Sequence, residues 1–97
     1  MDNQEATGLT FAGFIISLAT TAAIHFGDIE DPGTGQRSEP NLAAAQQMIE
    51  LIALLQDKTK GNLSPEETQL VDDLLYELRM RFVQAQQQAG GSRIIQP

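Results

Sequence analysis

The side chains best equipped for chemistry gather between His25 and Glu39. His25 is the chain's only histidine, and Asp28, Glu30 and Asp31 follow within a few positions. A histidine beside carboxylates suggests a metal site or a general base. Its position argues for a plainer role, because His25 closes a long apolar run, where the negative end of a helix favours a cation without any catalytic duty. With Asp28 as position one, Glu30, Gly33 and Glu39 fall at positions three, six and twelve of an EF-hand calcium loop. The pattern then breaks at Pro32 in position five, at Gly35 where an apolar residue belongs, and at Pro40 ahead of the exiting helix. Asp28, Glu30 and Glu39 are therefore the only metal candidates, and Asp31-Pro32-Gly33 reads as a turn.

Other groups offer less. Gly33-Thr34-Gly35 is too short and too acidic in context to cradle phosphate. No serine stands in a spacing that suggests a histidine–carboxylate partner. Glu66-Glu67 and Asp72-Asp73 belong to the first half of a helix, where acids complement the positive end and solvate a face. No catalytic residue and no cofactor are expected.

The elements that would carry these residues are helical. The chain has 97 residues, enough for one domain. It has no cysteine, so disulfides and thiolate metal sites are excluded. Its 13 acidic residues against 6 basic ones give a net charge of −7. That balance disfavours nucleic acid and anionic membrane as partners. The apolar run from Phe11 to Phe26 is shorter than the about 20 residues a spanning helix needs, and it includes Ser17, Thr20, Thr21 and His25. Met1 to Leu9 contains Asp2 and Glu5 but no basic residue, which argues against a secretory leader and for a cytoplasmic protein.

Local signals predict helices over about 11–26, 42–60 and 65–88. Thr10 caps the first, Leu9 and Phe14 have the spacing of a hydrophobic staple, and Gly27 ends it in a left-handed turn. Asn41 caps the second, and Gly61 stops it after Lys58 and Lys60. Ser64-Pro65-Glu66-Glu67 opens the third with a capping box and a proline at the first helical position. Gly90-Gly91 is expected to close it. No segment alternates with period two, so no sheet is predicted. The short connection after Lys60 makes the second and third helices an antiparallel hairpin. Residues 1–9 and 90–97 are expected to be flexible, leaving one helical domain over 10–89.

The fold class that follows is all-α, a three-helix bundle associated into a homo-oligomer. The first helix has an apolar arc of roughly 200° when residues are placed at about 100° intervals. Ala12, Ile16, Ala19 and Ala23 repeat within it at coiled-coil spacing. On the second helix, Ala44, Met48, Leu51, Ile52 and Leu55 form a seam widened by Leu42, Ala45, Ile49 and Ala53. Leu70, Val71, Leu74, Leu75, Leu78 and Phe82 form the core face of the third. Tyr76, Met80 and Val83 make a second stripe on its far side, with Glu77 and Arg81 as an i, i+4 ion pair between the two. Such wide arcs have two readings: the first helix is the buried centre of an irregular bundle, or a second chain covers the surplus. The second reading makes Ala12, Ile16, Ala19, Ala23, Tyr76, Met80 and Val83 the interface, with a two-fold dimer favoured. The alternatives are an ion- or small-ligand-binding protein that uses the acidic 28–39 loop, or an accessory subunit whose apolar face fits a larger bacterial complex.

These residues also carry a family likeness. Ser17-Leu18-Ala19 in the first helix, Phe26-Gly27-Asp28-Ile29-Glu30-Asp31-Pro32, Lys58-Thr59-Lys60-Gly61-Asn62-Leu63-Ser64-Pro65-Glu66-Glu67 and Leu74-Leu75-Tyr76-Glu77-Leu78-Arg79 resemble the bacterial domain-of-unknown-function 1844 family. The resemblance runs from about Phe11 to Val83. It implies a short, helical, cytosolic bacterial protein with no established activity, and it brings no catalytic residue to this chain.

Overall fold

A computed structural model describes residues 9–94. In chain order the elements are α1 (Phe11–Phe26), β1 (Glu30–Asp31), β2 (Gln36–Arg37), α2 (Leu42–Lys58) and α3 (Pro65–Ile94). The helix starts are set by short-range hydrogen bonds. The Thr10 hydroxyl accepts from the Gly13 amide at 2.9 Å, and the Asn41 side chain accepts from the Ala44 amide at 3.1 Å. At α3 the capping box is reciprocal: the Glu67 amide donates to the Ser64 hydroxyl at 3.1 Å, and the Ser64 amide donates to the Glu67 carboxylate at 2.9 Å. Each pairing satisfies amides that the first turn of a helix leaves without partners.

The helix ends differ more from expectation. At α1, Gly27 has φ +82°, its amide donates to the Ile24 carbonyl, and the Asp28 amide donates to the Ala23 carbonyl. This is a Schellman motif, and it needs a residue that accepts left-handed backbone. Helix α2 stops at Lys58 rather than Lys60: the Lys60 amide donates to the Asp57 carbonyl at 3.3 Å and the Asn62 amide to the Thr59 carbonyl at 2.8 Å, tighter turns that lead into Gly61 at φ +87°. Helix α3 passes through Gly90 and Gly91 to Ile94. A glycine inside a helix costs about 1 kcal/mol relative to alanine but does not forbid the conformation. The flexible segment expected over 1–9 lies outside the described residues except for Leu9, as do positions 95–97 of the expected tail.

The prediction of no sheet is corrected. Strands β1 and β2 pair antiparallel, Glu30 opposite Arg37 and Asp31 opposite Gln36. The Asp31 side chain accepts from the Gly33 amide at 2.8 Å, and its carbonyl accepts from the amides of Thr34 and Gly35. The turn read from Asp31-Pro32-Gly33 is therefore present, and it folds the chain back on itself to form a ladder too short to show alternation. The Asn41 amide then donates to the His25 carbonyl at 2.7 Å, tying the hairpin's exit to the end of α1.

The core is shared evenly. Ile15, Ala22 and Phe26 come from α1, Ala45, Ile49 and Ile52 from α2, and Val71, Leu75 and Leu78 from α3. No helix is the buried centre of the bundle, since α1 keeps Phe14 and Ile16 half exposed. Leu9 and Phe14 both remain exposed, so the staple spacing buries neither. Leu63 covers the end of the α2–α3 hairpin, packed against the core. The hairpin is antiparallel: the Gln56 amide donates to Asp72 near the turn, while Gln46 and Ile49 share a groove with Phe82 and Val83 farther away.

Candidate interaction surface

The polar groups of the 28–39 segment do not converge. Arg81 reaches across from α3 and holds Asp28 with two hydrogen bonds, Nε donating to Oδ2 at 2.8 Å and Nη2 to Oδ1 at 2.7 Å. Its guanidinium also stands 5.1 Å from the centre of the Phe26 ring. A planar cation can do both at once, one edge on a carboxylate and one face on a ring. The i, i+4 pair expected between Glu77 and Arg81 gives way to this longer-range clasp. Arg81 thus joins the loop after α1 to the outer half of α3.

The hydrogen bonds from Arg81 hold the Asp28 carboxyl below its ordinary range, against the opposing effect of partial burial, with the charges of Arg81 and Arg37 adding to the depression. A carboxyl depressed in the folded state adds stability above its unfolded pKa, and that contribution disappears as pH falls through the folded value. The Asp28 side chain is 38% exposed, so solvent screening keeps the pair to about 0.5–1 kcal/mol. Asp28→Asn is expected to lower the melting temperature at pH 7 by a few degrees, with the gap to wild type closing below about pH 4. A gap that stays constant down to pH 2 would show that the carboxylate charge is not what matters.

Among the described residues no cluster of His, Asp and Glu is placed to hold a metal ion. Asp28 is engaged by Arg81, while Glu30 and Glu39 are exposed. Hydroxyls on α1 are turned inward to their own backbone: Ser17 donates to the Phe14 carbonyl, Thr20 to Ile16 and Thr21 to Ser17. That is how an apolar helix carries these residues without leaving donors unpaired. No polar or charged side chain is buried among the described residues. Lys58 and Lys60 both face solvent beside the α2–α3 turn.

Apolar surface is the more distinctive feature. Tyr76 is 66% exposed, Met80 48% and Val83 45%, forming the stripe expected on the far side of α3 from the core. Val83 also borders a groove of about 320 Å³ between α2 and α3. Ile49, Ala53 and Phe82 line the groove, with Gln46 and Glu50 on the α2 side and Arg79 on the α3 side. A second groove of about 330 Å³ lies beside the clasp, lined mainly by Phe26, Pro40, Leu42, Arg81 and Ala85.

The residues read from sequence as interface fall into two groups. Tyr76, Met80, Val83 and Ile16 are exposed, whereas Ala12, Ala19 and Ala23 are half buried, with Ala19 packed against the core. Sequence reasoning missed Glu50 and Arg79. They flank the apolar arcs of α2 and α3, and helical periodicity identifies flanks without saying which two will face each other. It missed the Arg81–Asp28 contact for the same reason.

No helix among the described residues is long and apolar enough to cross a membrane. A family model described as "Domain of unknown function (DUF1844)" matches residues 8–84. Neither the curated proteins nor the solved structures contain a significant match.

Proposed function

The chain belongs to the DUF1844 family, and from that premise we propose that it is a non-catalytic helical interaction module that associates with itself, most simply as a two-fold dimer. The observation that carries this reading is the Tyr76–Met80–Val83 stripe, three large apolar side chains left in water on one face of α3. Contiguous apolar surface of this kind marks an interaction site more often than chance. Ile16 on α1 is a separate exposed apolar residue, with the half-buried Ala12, Ala19 and Ala23 on the same helical face. The net charge of −7 and the lack of cysteine favour a cytoplasmic partner that is protein rather than nucleic acid or membrane.

The test is the solution mass of tag-free protein by light scattering across a hundredfold dilution. A dimer that dissociates with a measurable Kd is expected. Met80→Glu should raise that Kd at least tenfold, because it places an unpaired carboxylate in an apolar contact. Protein that is monomeric at every concentration would refute self-association, and an unchanged Kd for the variant would remove α3's stripe from the contact.

A further inference from the structure

We infer that the α2–α3 face bearing this groove packs against the same face of a second copy, with Glu50 of each chain paired to Arg79 of the other. This rests on the self-association proposed above and specifies which face is used. The floor and rim of the groove are apolar, formed by Ile49, Ala53, Phe82 and Val83, and the Tyr76–Met80–Val83 stripe continues outward from its α3 edge. Its two sides bear opposite charge, an acid on α2 and a base on α3. Within the chain these charges do not pair: among the described residues the one salt bridge joins Arg81 to Asp28, and Glu50 accepts only the Gln46 amide at 3.3 Å.

That arrangement selects the occupant. A ligand of one charge would be attracted by one of these side chains and repelled by the other. The groove therefore favours neither anion nor cation and best matches a surface that carries both signs. A surface bearing one acid and one base beside an apolar strip is its own complement under a two-fold axis, where residue i meets j of the partner and j meets i. Rotation places each Glu50 against the partner's Arg79 and stacks the apolar strips between the two pairs. Two copies that each carry a net charge of −7 also need opposite charges at close range to offset their mutual repulsion.

The experiment uses the full chain and three variants, Glu50→Arg, Arg79→Glu and the double exchange. Glu50 and Arg79 are exposed, so circular dichroism should show all variants folded. Each single reversal sets like charges against each other twice in a homodimer and is expected to raise the dimer Kd at least tenfold. Mixing the two single variants should restore association as a heterodimer, visible by native mass spectrometry, and the double exchange should dimerise by itself. Single variants that dimerise as tightly as wild type would overturn this face while leaving self-association intact. Single variants that are weakened but not rescued by mixing would overturn the Glu50–Arg79 pairing. A wild-type monomer at every concentration would overturn both this inference and the proposal beneath it.

Discussion

Ile52→Ala is expected to destabilise the protein by about 3 kcal/mol, within the range of about 2–5 kcal/mol for truncating a buried aliphatic side chain. Ile52 is fully buried at the centre of α2, among the core residues of all three helices. Removing its outer carbons loses their transfer free energy and leaves a cavity that the surrounding helices fill only in part. For a domain of this size total stability is on the order of 5–10 kcal/mol, so the loss is a large fraction of the whole. The melting temperature should fall by roughly 15 °C, and the urea midpoint should drop with little change in slope. Leu54, two positions along the same helix and half exposed, provides the control. Leu54→Ala should cost about 1 kcal/mol or less in the monomer. Equal losses at the two positions would mean that the core does not run along this face of α2.

Gly27→Ala has the second largest expected effect, and Gly61→Ala calibrates it. Both glycines have left-handed backbone, φ +82° and +87°. An alanine in that conformation costs about 1–2 kcal/mol from the contact between its Cβ and its own backbone. At Gly61 nothing else lies within 4 Å of the added carbon, so that cost is the whole effect. At Gly27 the carbon would stand 3.0 Å from the Ser38 carbonyl oxygen. This neighbour is backbone, and the Asn41–His25 hydrogen bond ties the same stretch to the end of α1. It cannot move aside as a side chain would. Gly27→Ala should therefore cost about 1 kcal/mol more than Gly61→Ala, roughly 2–3 kcal/mol in total. Chemical denaturation of the two variants side by side is sufficient. Equal values would show that the segment around Ser38 yields to the added carbon.

These two glycines mark a boundary in what could be read from residues alone. Both follow a helix and precede polar residues, and both are expected to reverse the chain. The crowding at Gly27 comes from Ser38, a residue eleven positions later whose approach depends on the β-hairpin between them. A two-residue ladder leaves no periodic trace in sequence, because period two needs several residues to become visible. The turn at Asp31-Pro32-Gly33 was legible, since Asp31 bonds a backbone amide only two residues on. The pairing it enables was not.

The candidate surface divides in the same way. Tyr76, Met80 and Val83 share a face by helical spacing alone, and their exposure follows once the other face of α3 carries Val71, Leu75 and Leu78 into the core. Glu50 and Arg79 belong to one groove only because α2 and α3 pack along particular flanks. Arg81 shows the competition directly. One turn back along its own helix lies Glu77, a ready partner by spacing, yet its guanidinium takes Asp28 and the Phe26 ring at the end of α1. A partly shielded bidentate pair backed by an aromatic ring is worth more than an exposed i, i+4 pair, which contributes about 0.3–0.5 kcal/mol.

On α2 the buried face of Ala45, Ile49 and Ile52 lies to one side of the expected seam through Ala44, Met48, Leu51 and Leu55, which stay half buried. The helical class, the start of each helix and the inward face of α3 were legible in the residues. Those features rest on interactions spanning three or four residues and on a period of 3.6, both written along the chain. The partner of Arg81, the β-hairpin and the flanks of the wide apolar arcs that stayed in water came from packing between elements. Each of those depends on the angle and height at which two helices meet, a choice made by packing among residues distant in sequence.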